Sequence, residues 1–128
     1  MGTALNAVEW RHAPFFNRVQ TQVEQFWRPG DEYVQHDPTG HIYGYRDRET
    51  ILKVVLNRDG SLRSTYVIEE SGAAFLDDEA REAIEQAAPF PRPPRGLVDP
   101  ETQVVAFRFS FTVQVHESPV IRMERMPQ

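Results

Sequence analysis

The chain has 128 residues, of which 40% are hydrophobic and 26% charged, and its formal net charge at pH 7 is −5. This length suits one globular domain with a single core. The negative charge disfavours nucleic acid and anionic membrane surfaces as partners, because both are themselves negative. The sequence has no cysteine, which excludes disulfides, zinc–thiolate sites and thiol nucleophiles together.

The N-terminal third predicts a tail followed by one helix. Residues 1–13 carry no clear pattern, and we expect a flexible tail there. From Pro14 apolar side chains recur every three or four residues, which is typical of a helix, and Pro29-Gly30 predicts its end. We interpret the apolar stripe as a face that packs on a sheet rather than as a ligand groove; it comprises Phe16, Val19, Val23, Phe26 and Trp27.

Residues 30–48 have no sustained periodicity. Asp37-Pro38-Thr39-Gly40 is typical of a β-turn, and Tyr33-Val34 with Ile42-Tyr43 suggests a short hairpin around it. His36, Asp37 and His41 also lie close together in the sequence. Two histidines and one carboxylate on a loop are a weak indication of a metal site, so we expect no bound metal.

A β-hairpin follows, because the apolar period changes to two. Thr50–Asn57 and Leu62–Glu69 alternate along their length, and Arg58-Asp59-Gly60-Ser61 between them is a strong turn sequence. Alternation places Leu52, Val54 and Leu56 on one face of the first strand. In the second strand it groups Leu62 with Ser64, Tyr66 and Ile68.

A second helix is predicted from about Asp77 to Pro89. Asp77 is the expected N-cap, with Asp78 and Glu79 near the positive end of the helix dipole. A stripe of small residues lets this helix lie close to a sheet: Ala80, Ala83, Ile84 and Ala87. The proline-rich run at residues 89–94 is interpreted as a stiff connection to the next strand, in preference to a ligand for a proline-binding domain.

The last strand, Thr102–Val115, alternates without exception, so one face is buried. The buried set is Val105, Phe107, Phe109, Phe111, Val113 and Val115, and the opposite set includes Val104, Ala106, Arg108, Ser110, Thr112 and Gln114. The short turn makes the first two strands neighbours, so the third is expected at an edge unless the insertion or another chain covers it. An uncovered edge can pair with an added strand, and we assign partner binding to this second set. Residues 117–128 are expected to form a C-terminal tail.

The sequence shows no motif that is typical of catalysis or of cofactor binding. The sequence contains no glycine-rich phosphate loop, no G-x-S-x-G elbow and no H-E-x-x-H motif. The acidic residues Glu69-Glu70 and Asp77-Asp78-Glu79 are interpreted as a strand end and a helix start rather than as a catalytic carboxylate pair. We therefore predict a binding domain that is not an enzyme and needs no cofactor.

Several short segments resemble, in order, the C-terminal domain of the TonB/TolA family of periplasmic energy transducers. They are Asp59-Gly60-Ser61, Glu70-Ser71-Gly72, Phe75-Leu76-Asp77, the run from Ala87 to Pro94, and the final alternating strand. The resemblance covers about Phe15 to Val115. It implies an α+β fold of order α-β-β-α-β, a three-stranded antiparallel sheet with two helices packed on one face. The domain would span 14–116, with residues 31–48 as an insertion.

The resemblance also implies a function. Family members are anchored in the inner membrane, where a proton-driven motor complex acts on a part of the protein that precedes this domain. Their periplasmic C-terminal domain binds extended segments of outer-membrane transporters or associated proteins, commonly by pairing with the last strand. The expected partner-facing element here is Val104 to Gln114.

Two alternatives remain open from the sequence. The domain could be a structural connector in an envelope-spanning machine for gliding motility or secretion, or it could form a homodimer through the same edge. The chain also departs from the family pattern: Ala13-Pro14-Phe15 stands where TonB proteins often have Tyr-Pro, and the Asp31–Arg48 insertion is long.

Overall fold

The computed structural model describes residues 12–39, 42, 46–113 and 120–125. These described residues form three helices and four strands, with a short 3₁₀ turn at Arg95–Leu97. They are α1 (Ala13–Glu24), α2 (Pro29–His36), β1 (Arg48–Asn57), β2 (Leu62–Glu69), α3 (Ala74–Ala87), β3 (Val104–Val113) and β4 (Val120–Arg125).

The strands form one antiparallel sheet of order β2-β1-β3-β4. The predicted α-β-β-α-β core is confirmed: α1 and α3 pack on the same face of β1 and β3. Both alternating strands contribute to that face as expected, because every second residue of a strand points to the same side. The buried core side chains of the two strands are Leu52, Val54, Leu56, Val105, Phe107, Phe109 and Phe111.

Aromatic rings fill the space between the sheet and α1. The ring centroid of Phe107 lies 5.2 Å from that of Phe16 and 6.0 Å from that of Phe15. Trp27 makes an edge contact with Phe111 at 5.2 Å. Phe26, predicted to share this stripe, is 38% exposed, because α1 ends at Glu24 and the following residues leave the helical register.

The β1–β2 hairpin is confirmed, but one face assignment was wrong. Leu62 pairs with Leu56 and packs against the core, whereas Ser64 and Tyr66 pair with Val55 and Lys53 on the opposite face. The register shifts between Val55 and Leu56, which inserts an extra residue into β2 there. A β-bulge of this kind reverses the face of the residues that follow it, up to a second register shift between Ile51 and Leu52, so strict alternation could not hold.

The predicted hairpin around residues 37–40 was wrong at Tyr33-Val34, which lie within α2. Pro29 occupies the first turn of this helix and Asp31 and Glu32 follow it, both being helix-start signals that the sequence interpretation missed. Tyr43, the other end of that hairpin, lies outside the described residues, as do Tyr45, His41 and His116.

Helix α2 packs on the beginning of α3. The rings of His36 and Phe75 stack with centroids 4.7 Å apart and an interplanar angle of 2°, and Tyr33 meets Phe75 edge-on at 5.4 Å. These contacts belong to a small second core with Ala73 and Leu76. The insertion therefore thickens the helical layer at one end of the domain.

Asp77 is not the N-cap of α3, contrary to expectation. The helix begins at Ala74, and Asp77 is buried one turn inside it. Its Oδ1 accepts a hydrogen bond from Thr50 Oγ1 at 2.6 Å and another from the backbone N–H of Ser71 at 3.0 Å. The carboxylate therefore joins α3 to β1 and to the loop before the helix, a tertiary role that local sequence does not encode.

The position of β3 is the main correction. It was expected to be an edge strand, but it pairs with β1 on one side and with β4 on the other. β4 lies in the predicted C-terminal tail, where no alternating sequence pattern indicated a strand. The hydrogen-bonding groups along β3 make any nearby extended segment a partner, so pairing here depends on proximity rather than on side-chain pattern.

Candidate functional site

The face of the sheet that lies opposite the helices presents five of the six predicted partner-binding residues. Ala106 is 8% exposed, and the other four are half-buried. Gln114 lies outside the described residues. The five residues that the structure places together on this face are Val104, Ala106, Arg108, Ser110 and Thr112.

The residues of β1 that pair with β3 determine which polar and charged groups are neighbours on this open face. Arg108 lies opposite Lys53, and Ser110 lies opposite Ile51. Ser110 Oγ donates a hydrogen bond to the Glu49 carboxylate, and Lys53 Nζ lies 5.9 Å from the centre of the Tyr66 ring. The face is thus polar with basic side chains at its centre, unlike the opposite face.

A shallow groove of about 560 Å³ crosses the open face toward the start of β3. Its lining combines small or apolar residues with basic and aromatic ones. The lining includes Lys53, Val55, Arg63, Tyr66, Val104 and Ala106. Tyr66 and Ile68 on the outer strand β2 are 47% and 43% exposed, so apolar surface is available beside the groove.

The strand edges of the sheet are β2 and β4 within the described chain. β4 forms six antiparallel pairs with β3, from Thr112–Val120 to Phe107–Arg125. The backbone groups of β3 on that side therefore already serve strand pairing. The candidate docking element is the outer side of β3 with β4 resting on it, rather than a bare edge.

A second concave region lies at the end of the sheet, and the sequence interpretation missed it. A cleft of about 720 Å³ is lined by three arginines, Arg58, Arg92 and Arg95. Arg92 falls in the proline-rich run that was interpreted as a stiff connection. The sequence shows that Arg92 and Arg95 lie three residues apart. It does not show that Arg58 lies beside them, because the hairpin turn and the proline-rich connection come together only in the fold.

Three carboxyl groups have displaced pKa values. Burial raises the pKa of Glu79, although the N–H of Arg28, which donates to its Oε2 at 2.7 Å, acts in the opposite direction. Hydrogen bonds from Ser61 lower the pKa of Asp59, and those from Thr102 and Glu101 lower the pKa of Asp99. All three groups sit at junctions or turns rather than in a catalytic arrangement.

The described residues contain neither a cluster of metal ligands nor a helix that could cross a membrane. No group of three or more histidine, aspartate or glutamate side chains is placed to hold a metal ion among them. No described helix is long and apolar enough to span a bilayer.

Comparison with known proteins identifies a family from the sequence and similar folds among solved structures. The family model of the TonB C-terminal domain matches residues 12–109. Two NMR structures of the Helicobacter pylori TonB C-terminal domain have a similar fold. The one of residues 179–285 is 20% identical with a TM-score of 0.57, covering 91% of this chain and 100% of that one. The one of residues 194–285 is 23% identical with a TM-score of 0.53, covering 81% and 97%.

A TolA domain is similar as well. The solution structure of TolA domain III bound to a peptide from the N-terminus of TolB is 14% identical, with a TM-score of 0.52, and covers 100% of this chain and 82% of that one. At these identities the structural matches establish the fold. No curated protein sequence matches the chain.

The fold defines a small α+β domain in which helices cover one face of an antiparallel sheet and leave the other open. The chain belongs to the TonB C-terminal domain family, since the family match covers most of its length. Domains of this family serve protein interaction in energy transducers rather than catalysis.

Proposed function

We propose that this domain binds an extended segment of an outer-membrane transporter or of another envelope protein, and that the segment pairs with β3 in place of β4. The domain would lie in the periplasm, as the C-terminal part of a protein anchored in the inner membrane. It would couple a proton-driven motor complex to transport at the outer membrane. Backbone groups would supply most of the pairing, and side chains from Val104 to Gln114 would tune it.

The observation that carries this proposal is the pairing of β3 with a short C-terminal strand. The six pairs with β4 indicate that the outer side of β3 accepts an antiparallel strand. β4 has only six residues and pairs with β3 alone among the described strands, so few backbone hydrogen bonds have to break for another strand to replace it. The TolA domain of similar fold was solved with a bound peptide, which supports peptide capture by this class of domain.

Exchange of β4 can be tested with the chain's own sequence. A protein ending at His116 leaves β3 uncovered, and a fluorescent peptide of residues 117–128 serves as the probe. We expect saturable binding to this shortened protein and at least tenfold weaker binding to the full chain, where β4 competes. Fluorescence anisotropy measures both, and circular dichroism establishes that the shortened protein is folded.

The matched control is the same peptide with proline at both Ile121 and Arg122. Successive residues of a strand direct their N–H groups to opposite sides, so this pair removes one donor to β3 whichever residue provides it. Equal binding of the control peptide would show that the interaction is not strand pairing. A folded shortened protein that does not bind the original peptide would also contradict the proposal.

The partner can be identified with a photo-crosslinking amino acid at Thr112 in cells. Crosslinking to an outer-membrane transporter supports the transducer function. A subunit of a motility or secretion machine would favour the connector alternative, and a second copy of the chain would favour the homodimer.

A further inference from the structure

The arginine cleft lies where the β1–β2 turn meets the connection between α3 and β3. Arg58 comes from the turn, and Arg92 and Arg95 come from the proline-rich connection. The remaining lining is apolar or neutral: Pro93, Val98, Pro100 and Gln103. The cleft thus combines three cationic groups with rigid apolar surface, and none of the described residues that line it is acidic.

The charge of these arginines is largely uncompensated. Arg58 donates from Nη1 to the neutral Oε1 of Gln103 at 3.3 Å. Arg92 and Arg95 form no ion pair or side-chain hydrogen bond with any part of the chain that the structure describes. Three guanidinium groups therefore face one cleft on a protein whose net charge is −5. Like charges placed together are unfavourable without an anion.

Two aspartates adjacent in sequence to residues of the cleft, Asp59 and Asp99, accept hydrogen bonds within their own turns. Asp59 accepts hydrogen bonds from the backbone N–H and the hydroxyl of Ser61, and Asp99 accepts from the N–H groups of Glu101 and Thr102. These bonds hold the pKa of each aspartate below its usual value, with a smaller contribution from Arg92 at Asp59. Among the described residues neither aspartate forms an ion pair with the three arginines, so the hydrogen bonds within the turns are the contacts that hold them.

The backbone that presents the arginines is held in place. The Phe90 N–H donates to the carbonyl of Gly60 at 2.9 Å, which ties the proline-rich connection to the hairpin turn. Asp99 and Val104 are joined by an N–H···O bond of 3.0 Å that closes the loop before β3. A cleft built on such fixed backbone loses little conformational entropy when a ligand binds.

We propose that this cleft binds an acidic peptide segment of a partner protein, with carboxylates paired to Arg92 and Arg95. Guanidinium groups bind carboxylates through two parallel hydrogen bonds, and Pro93, Val98 and Pro100 provide a surface for the aliphatic part of the peptide. A long nucleic acid is disfavoured because the surrounding protein is negative. The site is separate from strand pairing at β3 and would add a second contact to the same partner.

The test uses the full chain and a fluorescent hexaglutamate peptide as the probe. We expect saturable binding at low ionic strength that weakens as salt is added, and no saturable binding of hexaglutamine. The double variant Arg92→Gln/Arg95→Gln should bind hexaglutamate at least tenfold more weakly. Both arginines are exposed, so the variant is expected to fold, which its circular dichroism and unfolding midpoint will establish.

The matched control is the double variant Arg18→Gln/Arg46→Gln, which removes the same charge at exposed arginines outside both the cleft and the groove on the open face. It should leave the affinity within about twofold. An equal loss in this control would show that binding reflects only overall charge and would overturn the proposal. Competition by inorganic phosphate at or below the hexaglutamate concentration would overturn it in favour of a phosphate site.

Discussion

Gly60 is the residue on which the hairpin and the proline-rich connection meet. Its φ is +97°, a backbone conformation that residues with a side chain rarely adopt. A Cβ at this position would also lie 2.7 Å from the carbonyl oxygen of Pro91 and closer still to that of Phe90. Both effects require glycine here.

Replacement Gly60→Ala should therefore lower the free energy of unfolding by about 3 kcal/mol, the sum of backbone strain and overpacking. Urea denaturation measures this loss. Gly30→Ala is the control, since nothing lies within 4 Å of its added Cβ, and it should be neutral or stabilising by up to about 1 kcal/mol in helix α2. Similar losses in the two variants would refute this explanation.

Two buried threonine hydroxyls differ in whether they have a partner. Thr50 Oγ1 donates to the Asp77 carboxylate, whereas Thr65 Oγ1 is buried without a hydrogen-bond partner among the described residues. We expect Thr50→Val to cost about 2 kcal/mol of unfolding free energy, because it removes a bond to a charged acceptor. Thr65→Val should cost nothing or stabilise. Chemical denaturation of both variants measures their free energies of unfolding. A larger decrease for Thr65→Val than for Thr50→Val would contradict this explanation.

At the scale of elements, Glu79 links α3 to the start of α2. Its carboxylate accepts the Arg28 N–H immediately before α2. Burial, followed by repulsion from Glu32, Glu82 and Asp31, raises the pKa of Glu79 above 4.5. The folded state thus binds more protons than the unfolded state between the two pKa values, so this residue makes stability fall as pH rises through that window.

Glu79→Gln should remove that loss while keeping an oxygen acceptor for Arg28. The stability of the variant relative to the native chain is expected to increase from about pH 4 to about pH 7. Urea unfolding at both pH values measures the difference. Glu85→Gln changes the same charge at an exposed position of α3 and serves as the control. A variant that gains no more than this control would contradict the assignment.

The elements differ in how far sequence determined them. β1 and β3 were predictable because a two-residue period with branched and aromatic side chains allows little else. α2 was missed because its start signals, Pro29 and the acids after it, lie next to a turn sequence at Asp37-Pro38 that dominated the interpretation. The five described residues of the partner-binding set lie on the predicted face of β3, and the use of this set in binding stays a prediction.

At the scale of the whole molecule, β4 determines whether β3 is available. Removing residues 117–128 should expose the pairing groups of β3, and exposed edges promote association between copies. Sedimentation should therefore show that the chain ending at His116 self-associates at lower concentration than the full chain. Unchanged association of a folded shortened protein would show that the outer side of β3 does not attract strands.

The last strand shows most clearly what each level contributes. Alternation along residues 104–113 by itself determined that β3 is a strand with one buried face, because side chains in a strand point alternately to its two sides. Only the tertiary structure decided that β3 is covered by β4 and that three arginines meet at one end of the sheet. Local periodicity reports burial, whereas strand neighbours and charge clusters depend on where distant segments come together.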